Sequence, residues 1–225
     1  MDSLDLGERL RAQVAEARRS RVPLRVRGGG TRAFLCGAVA PDAVVLDLSA
    51  HRGILEHVPS ELTLTARAGT PLPEVERVLA EAGQMLAFDP PRFAPTSTLG
   101  GAVATGLSGP ARPWRGAVRD AVLGVRLLDG HGEIGRYGGE VMKNVAGYDV
   151  SRLVTGSHGS LGVLLDVSLR VMPRPAAVRT QLLPGGVQEG LVRMLDLGRR
   201  PLPLAGLAWQ AGVLRVRLAG SEEAV

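Results

Sequence analysis

The fold turns on one stretch, 137-YGGEVMKNVAGYDVSRLVTGSHGSLGVLLDVSLRVMP-173. Its second half alternates strictly. Val163, Leu165, Val167, Leu169 and Val171 point one way, and Leu164, Asp166, Ser168, Arg170 and Met172 point the other, which is the period of a β-strand. Directly ahead stand Gly156, Gly159 and Gly162, interleaved with Ser157, His158 and Ser160. Glycine weakens a strand unless a turn needs it or something must approach the backbone closely. The stretch therefore predicts a long strand whose entry is bared for a ligand.

Working outward, Pro173 and Pro175 mark a boundary. Beyond it a smaller unit is expected: a strand at Gln181–Leu183, a helix with Val187, Leu191, Met194 and Leu195 on its apolar face, and a strand at Val213–Leu218. The chain ends Gly-Ser-Glu-Glu-Ala-Val, which reads as a helix start with Ser221 as N-cap. The expectation is a truncated or naturally shortened relative of something longer, the alternative being a frayed polar tail. Upstream, residues 4–19 predict a helix through Leu6, Leu10, Val14 and Ala17. Leu24–Arg27 and Val44–Leu48 predict strands, the second buried. Leu62, Leu64 and Ala66 predict a half-buried strand. Thr70-Pro71 predicts a helix start, with Val75, Val78 and Leu79 facing inward and Gly83 closing it. Residues 89–116 read as a loop low in acidic residues, and Val122–Leu128 as a strand turning at Asp129–Gly132 toward a partner near Ile134.

Composition narrows the function classes. The 225 residues suffice for a proper core, with 45% hydrophobic and only 3% aromatic content, so the core must be aliphatic. The net charge of +5 rests on arginines scattered along the chain, with Lys143 the sole lysine. No aromatic platform is interleaved with them, so no nucleic-acid partner is expected. The one cysteine, Cys36, can form no internal disulfide and cannot by itself ligate an iron–sulfur cluster or zinc; no metal site is expected. There is no signal-like N-terminus and no apolar run of bilayer length, so the expected location is cytoplasmic, with any membrane association made through partners.

Three glycine–hydroxyl clusters carry the chemistry. Leu24-Arg25-Val26-Arg27-Gly28-Gly29-Gly30-Thr31 is a strand feeding a glycine loop, whose N–H groups can converge on an anion or simply make a tight turn. Gly28, Gly30 and Ala33, with Asp47 at a strand end, also fit a Rossmann fingerprint. The residues between Arg27 and Val44 hold Gly37 and Pro41, which leaves no room for a good crossover helix. The second cluster is Pro95-Thr96-Ser97-Thr98-Leu99-Gly100-Gly101, continuing to Ala104-Thr105-Gly106 and Ser108-Gly109. The third is Gly156–Val163.

In this order and spacing the clusters resemble the FAD-binding domain of the vanillyl-alcohol-oxidase and p-cresol-methylhydroxylase (PCMH) family. The similarity covers about residues 1–175. The Met142-Lys143-Asn144-Val145-Ala146-Gly147-Tyr148-Asp149 run, with Ser108-Gly109-Pro110 and Trp114–Asp120, is most similar to the smaller FAD-binding subunits of bacterial glycolate oxidases. The resemblance implies an α+β fold: a two-subdomain PCMH-type FAD-binding domain at 1–175, with subdomains of about 1–55 and 56–175, then a partial α+β cap at 176–225. It implies that Arg27, Gly28, Gly29, Gly30, Thr31 and Arg32 hold the pyrophosphate. Pro95, Thr96, Thr98, Leu99, Gly100, Gly101, Thr105, Ser108 and Gly109 would line the flavin side, and Gly162 and Val163 the adenine end. Asp120 would orient a loop or touch the cofactor. No histidine stands in the first loop, so non-covalent FAD is expected.

No catalytic base is identified by the sequence. Lys143 could stabilise negative charge on a reduced flavin or be structural, and His158 could titrate at the site or be a local hydrogen-bonder. The resemblance implies the FAD-binding subunit of a glycolate oxidase-like complex acting on a small 2-hydroxy acid, with a larger flavoprotein subunit and an iron–sulfur subunit as partners. The alternatives are a self-sufficient FAD-dependent dehydrogenase of a small hydroxy acid and a non-catalytic assembly subunit.

Overall fold

A computed structural model describes residues 5–139 and 147–225. Helix α1 (Gly7–Ser20) buries Leu10, Val14 and Ala17. It leads to β1 (Leu24–Arg27) and β2 (Val44–Asp47), which pair in parallel as a two-stranded sheet. Their connection holds only a short 3₁₀ turn at Ala33–Leu35, so no Rossmann crossover helix exists. In β2 only Leu46 is buried while Val44 and Val45 are exposed, so the expectation of a buried strand holds for its end alone.

β3 (Ile54–Val58) and β4 (Thr63–Arg67) begin the main sheet. All five residues of β4 are buried, not half of them. Helix α2 (Leu72–Glu81) follows, one residue later than the Thr70-Pro71 signal suggests. Pro71 takes the N-cap position, and the Thr70 hydroxyl is diverted to the Gly53 backbone, accepting from its N–H at 2.9 Å. Leu72, Val75 and Leu79 are fully buried. After β5 (Gln84–Leu86), the supposed loop contains α3 (Leu99–Thr105) and α4 (Arg112–Arg115), and α5 (Val118–Ala121) runs into β6 (Val122–Leu128). β7 (Ile134–Gly138) returns antiparallel to β6. Helix α6 (Val150–Val154) precedes β8 (Val163–Pro173).

The quoted stretch thus places its strand at the centre. β8 pairs antiparallel with β4, β5 and β6, in a sheet ordered β3-β4-β8-β6-β7 with β5 off that path. Leu165, Val167, Leu169 and Val171 join the aliphatic core with α2 and α3. The other face is buried as well, but it is polar there. Fully buried His51 accepts a hydrogen bond from the Leu6 N–H at Nδ1 (3.0 Å) and points Nε2 toward Asp166, 3.4 Å away. Asp166 pairs with Arg126 at 2.6 Å, and Arg126 with Asp5 at 3.0 Å. This network fastens the start of α1 to the sheet.

The last unit is β9 (Ala177–Pro184), α7 (Val187–Gly198), β10 (Leu204–Gln210) and β11 (Val213–Gly220). The strands order β10-β11-β9, and β10 is an element the sequence reading lacks. α7 turns differently from expectation. Gly190 is the position buried against Trp209, and Met194 and Leu197 pack on the small core, whereas Val187, Leu191 and Leu195 are exposed. The terminal Ser221–Ala224 segment makes a turn closed by the Ala224 N–H on the Ser221 carbonyl, not a helix.

Candidate functional site

The strand β1 delivers the chain into Gly28-Gly29-Gly30, and the first two glycines are needed for packing. A Cβ on Gly29 would overlap the Thr96 carbonyl, and one on Gly28 would come within 2.5 Å of the Thr98 hydroxyl. The first two clusters therefore dock on one another through missing side chains. Gly30 differs: its φ of +70° is a left-handed conformation, and a Cβ there would meet only the Arg27 Cδ, at an ordinary contact distance of 3.8 Å. The Thr31 and Ser97 hydroxyls bond at 2.9 Å and seal the contact. No N–H of Gly28, Gly29, Gly30 or Thr31 donates a hydrogen bond to any described residue.

These donors line a cleft between the glycine loop, α3 and the entry to β8. Its walls include Arg25, Arg27, Gly28–Ala33, Cys36, Ala68, Thr98, Gly100, Gly101, Thr105, His158, Gly159, Gly162 and Leu164. Neither aspartate nor glutamate is among the lining residues. Arg27 is partly neutralised by Asp47 at 2.6 Å. Arg32 is only 7% exposed, and its Nε finds no partner. Its Nη2 donates to the Pro91 carbonyl at 2.8 Å, and its guanidinium lies 5.5 Å from the Phe93 ring centre. Among the described residues no carboxylate pairs with it, and burial pushes its pKa below the usual guanidinium value. A buried cation without a counter-charge beside four unused N–H donors is an arrangement that an anionic ligand completes.

The second cluster forms α3. The Thr98 hydroxyl caps it by accepting from the Gly101 N–H at 3.2 Å. The Leu99 and Gly100 N–H groups are taken by the Thr70 and Ala68 carbonyls, and Gly100 sits where a Cβ would press 2.5 Å from the Ala68 Cβ. The first turn of α3 is therefore satisfied internally, and Thr98, Gly100, Gly101 and Thr105 present a bare wall. At the third wall His158 is left-handed (φ +55°), with its N–H on the Ala104 carbonyl at 2.8 Å.

Twelve of the expected site residues face this cleft: Arg27, Gly28, Gly29, Gly30, Thr31, Arg32, Thr98, Gly100, Gly101, Thr105, Gly162 and His158. Others lie behind it or away from it. Leu99 is fully buried in the core, and Val163 is buried and pairs with Leu128. Pro95 and Thr96 are exposed outside the cleft. The Ser108 hydroxyl accepts from the Val118 N–H at 3.1 Å, and Gly109 packs on Asp89. The Asp120 carboxylate accepts from the Ala117 N–H at 2.8 Å, which is the loop-orienting alternative. Lys143 and the Met142–Ala146 part of its motif lie outside the described residues. Sequence reasoning missed Arg25, Cys36 and Ala68. Arg25 was legible, since it lies two residues before Arg27 and so on the same face of β1.

Fold and cleft define a class: an α+β domain with an anion-ready cleft between a glycine loop and the bared end of an antiparallel sheet. The chain belongs to the FAD binding domain family, whose model matches residues 7–138; the cofactor is FAD. It is 46% identical over 221 residues to the glycolate oxidase subunit GlcE of Escherichia coli (strain K12), covering 98% of this chain and 63% of that protein. It is 34% identical over 164 residues to the glycolate oxidase subunit GlcD of Bacillus subtilis (strain 168), covering 72% of this chain and 34% of that one. A D-lactate dehydrogenase of Archaeoglobus fulgidus is 28% identical over 200 residues, with 88% and 44% covered. The chain thus spans less than two thirds of the length of these relatives. An alkyldihydroxyacetonephosphate synthase structure superposes with a TM-score of 0.74 at 21% identity, covering 96% of this chain and 46% of that one, a likeness of fold. Among the described residues no helix is long and apolar enough to cross a membrane.

Proposed function

We propose that this chain is the FAD-binding subunit of a glycolate oxidase-like complex that oxidises a small 2-hydroxy acid. The similarity to GlcE along nearly the whole chain supports the subunit reading, and the similarity to GlcD supports a larger flavoprotein partner of the same family. An iron–sulfur subunit would take the electrons onward. The complex would work in the cytoplasm. Residues 1–175 would form the cofactor domain, with subdomains of about 1–55 and 56–175, and 176–225 part of a cap.

One observation carries the cofactor part: the four unused N–H donors at Gly28–Thr31 line the same cleft as the buried Arg32, whose Nε has no partner and which no carboxylate pairs among the described residues. Here the pyrophosphate of FAD would be held. Gly100, Gly101 and Thr105 would leave room for the ribityl and flavin, and Gly162 would contact the far end. Bound flavin supplies electron transfer; the residues of this chain bind it, orient it and exclude water. No histidine faces the cleft from the first loop, and the holding is non-covalent.

The test is a visible absorption spectrum of the purified chain after incubation with FAD, repeated on the supernatant after denaturation. A flavin spectrum that moves to the supernatant and co-migrates with FAD is expected. Colour retained by the pellet would overturn the non-covalent reading. A protein that stays colourless would overturn the cofactor reading.

A further inference from the structure

His158 stands where the backbone asks for glycine. Among the described residues, Arg21, Leu62, Asp89, His158 and Ala211 are the non-glycine residues with positive φ, and of these His158 alone lines the cleft. Its neighbours in the third cluster, Gly156, Gly159 and Gly162, have φ of +82°, +79° and +145°, angles that glycine adopts without strain. The His158 φ of +55° carries a Cβ into that strained region. The turn itself uses only backbone. The Gly156 N–H donates to the Val103 carbonyl at 3.0 Å and the His158 N–H to the Ala104 carbonyl at 2.8 Å, which closes the end of α3. Glycine would serve that turn as well. The imidazole is exposed and makes no hydrogen bond, ion pair or ring contact with a described residue. Strain kept where neither packing nor hydrogen bonding uses the side chain points to function.

The walls of the cleft say what the ring is for. β1 contributes Arg25 and Arg27, the latter paired with Asp47 at 2.6 Å, the glycine loop contributes Arg32, and the segment past the 3₁₀ turn contributes Cys36. α3 and the entry to β8 add no other charged side chain to the lining. The turn that carries His158 comes up to the strand that feeds the glycine loop: a Cβ on Gly159 would lie 3.6 Å from the Val26 Cβ. We propose that His158 is a positioning residue for the phosphates of the cofactor, and that cofactor binding takes up a proton at its ring. The proposal rests on the FAD reading above. Imidazole is the side chain that changes charge between about pH 5 and 8, and an anion beside it favours the charged form. The pyrophosphate diester of FAD stays fully ionised across that range. The proton therefore comes from solvent, is held at a ring nitrogen, and is returned when the cofactor leaves.

The experiment is calorimetric titration of the purified chain with FAD near neutral pH, in two buffers of unequal ionisation enthalpy. Flavin fluorescence follows Kd between about pH 8 and pH 6. On binding, the wild-type chain should draw protons from the buffer, seen as a heat that differs between the two buffers. Its Kd should fall as pH falls, by up to about tenfold per pH unit, the limit for one proton. His158→Asn keeps a polar side chain, tolerates the left-handed angle and cannot titrate. His158→Gly serves the backbone alone. Both variants should bind FAD with equal heats in the two buffers and a Kd that does not change with pH. Cys36→Ser should keep the wild-type uptake. A wild-type chain that binds FAD without taking up a proton overturns the proposal and leaves the proposed function standing, as does uptake that persists in His158→Asn. A chain that binds no FAD at any pH overturns both together.

Discussion

Arg32 carries its charge where only 7% of the residue meets solvent, with no carboxylate among the described residues to answer it. Such a group is costly to the empty protein and valuable to the loaded one. Arg32→Met should leave thermal stability of the empty chain unchanged or raise it. It should weaken FAD binding by about ten- to a hundredfold, the worth of a hydrogen bond to a charged group. Melting temperature and flavin titration measured on the same sample check the two opposite effects. Gly29 tests the neighbouring claim. Because a Cβ there would overlap the Thr96 carbonyl, which is backbone and cannot swing aside, Gly29→Ala should destabilise the chain by about 1–3 kcal/mol, as overpacking does. Denaturant unfolding measures it. From its residues the glycine loop reads either as an anion loop or as a tight turn, and its first two glycines are required by the contact with Thr96 and Thr98, which lie far along the chain. No local pattern announces such a contact.

Among elements, α1 and α7 show where periodicity succeeds and where it fails. Of the four residues its pattern promises, α1 buries Leu10, Val14 and Ala17, while Leu6 stands at the N-cap, half-buried. Its N-terminal attachment is ionic, and pH should probe it. Burial pushes the Asp5 carboxyl up, but hydrogen bonds from Arg126 and the Gly7 N–H, with the charges of Arg126 and Arg67, outweigh that and hold its pKa at about 2. A carboxyl depressed in the fold adds stability above its unfolded value that is lost as pH falls through the folded one. Stability should therefore decline between about pH 4 and pH 2, and Asp5→Asn should flatten that decline by a modest amount, since the pair is partly solvated. Melting temperature against pH for both proteins decides it.

In α7 the apolar stripe is wider than the small sheet it covers. Gly190 is the residue in contact with Trp209, with a Cβ position 2.5 Å from the ring. Gly190→Val should cost about 1–3 kcal/mol by overpacking, while Leu191→Gln, at an exposed site, should change stability by less than about 0.5 kcal/mol. Chemical denaturation of the two variants would separate them. The sequence offered no way to rank Gly190 above Leu191, because a glycine registers as a gap in an apolar face until its partner is known.

At the scale of the molecule, the strand read first proves to be the centre. β8 contacts β4, β5 and β6, and its polar face shelters the His51–Asp166–Arg126 network. The central strand was legible because its alternation is long and unbroken. α3 was not, because Leu99-Gly100-Gly101 looks like loop and becomes helix only where Ala68 and Thr70 accept its first N–H groups. The walls of the cleft come from distant parts of the chain, from Arg25 through Ala68 and Thr98 to Gly162 and Leu164. During synthesis, therefore, the glycine loop emerges long before the strand that closes the site. A nascent chain presents Arg32 and its unused donors while the opposite wall is still unmade. With FAD placed as proposed, its capture would wait until Leu164 and the strand beyond it have left the ribosome. Limiting FAD would then leave a finished but empty chain, rather than arrest an unfinished one.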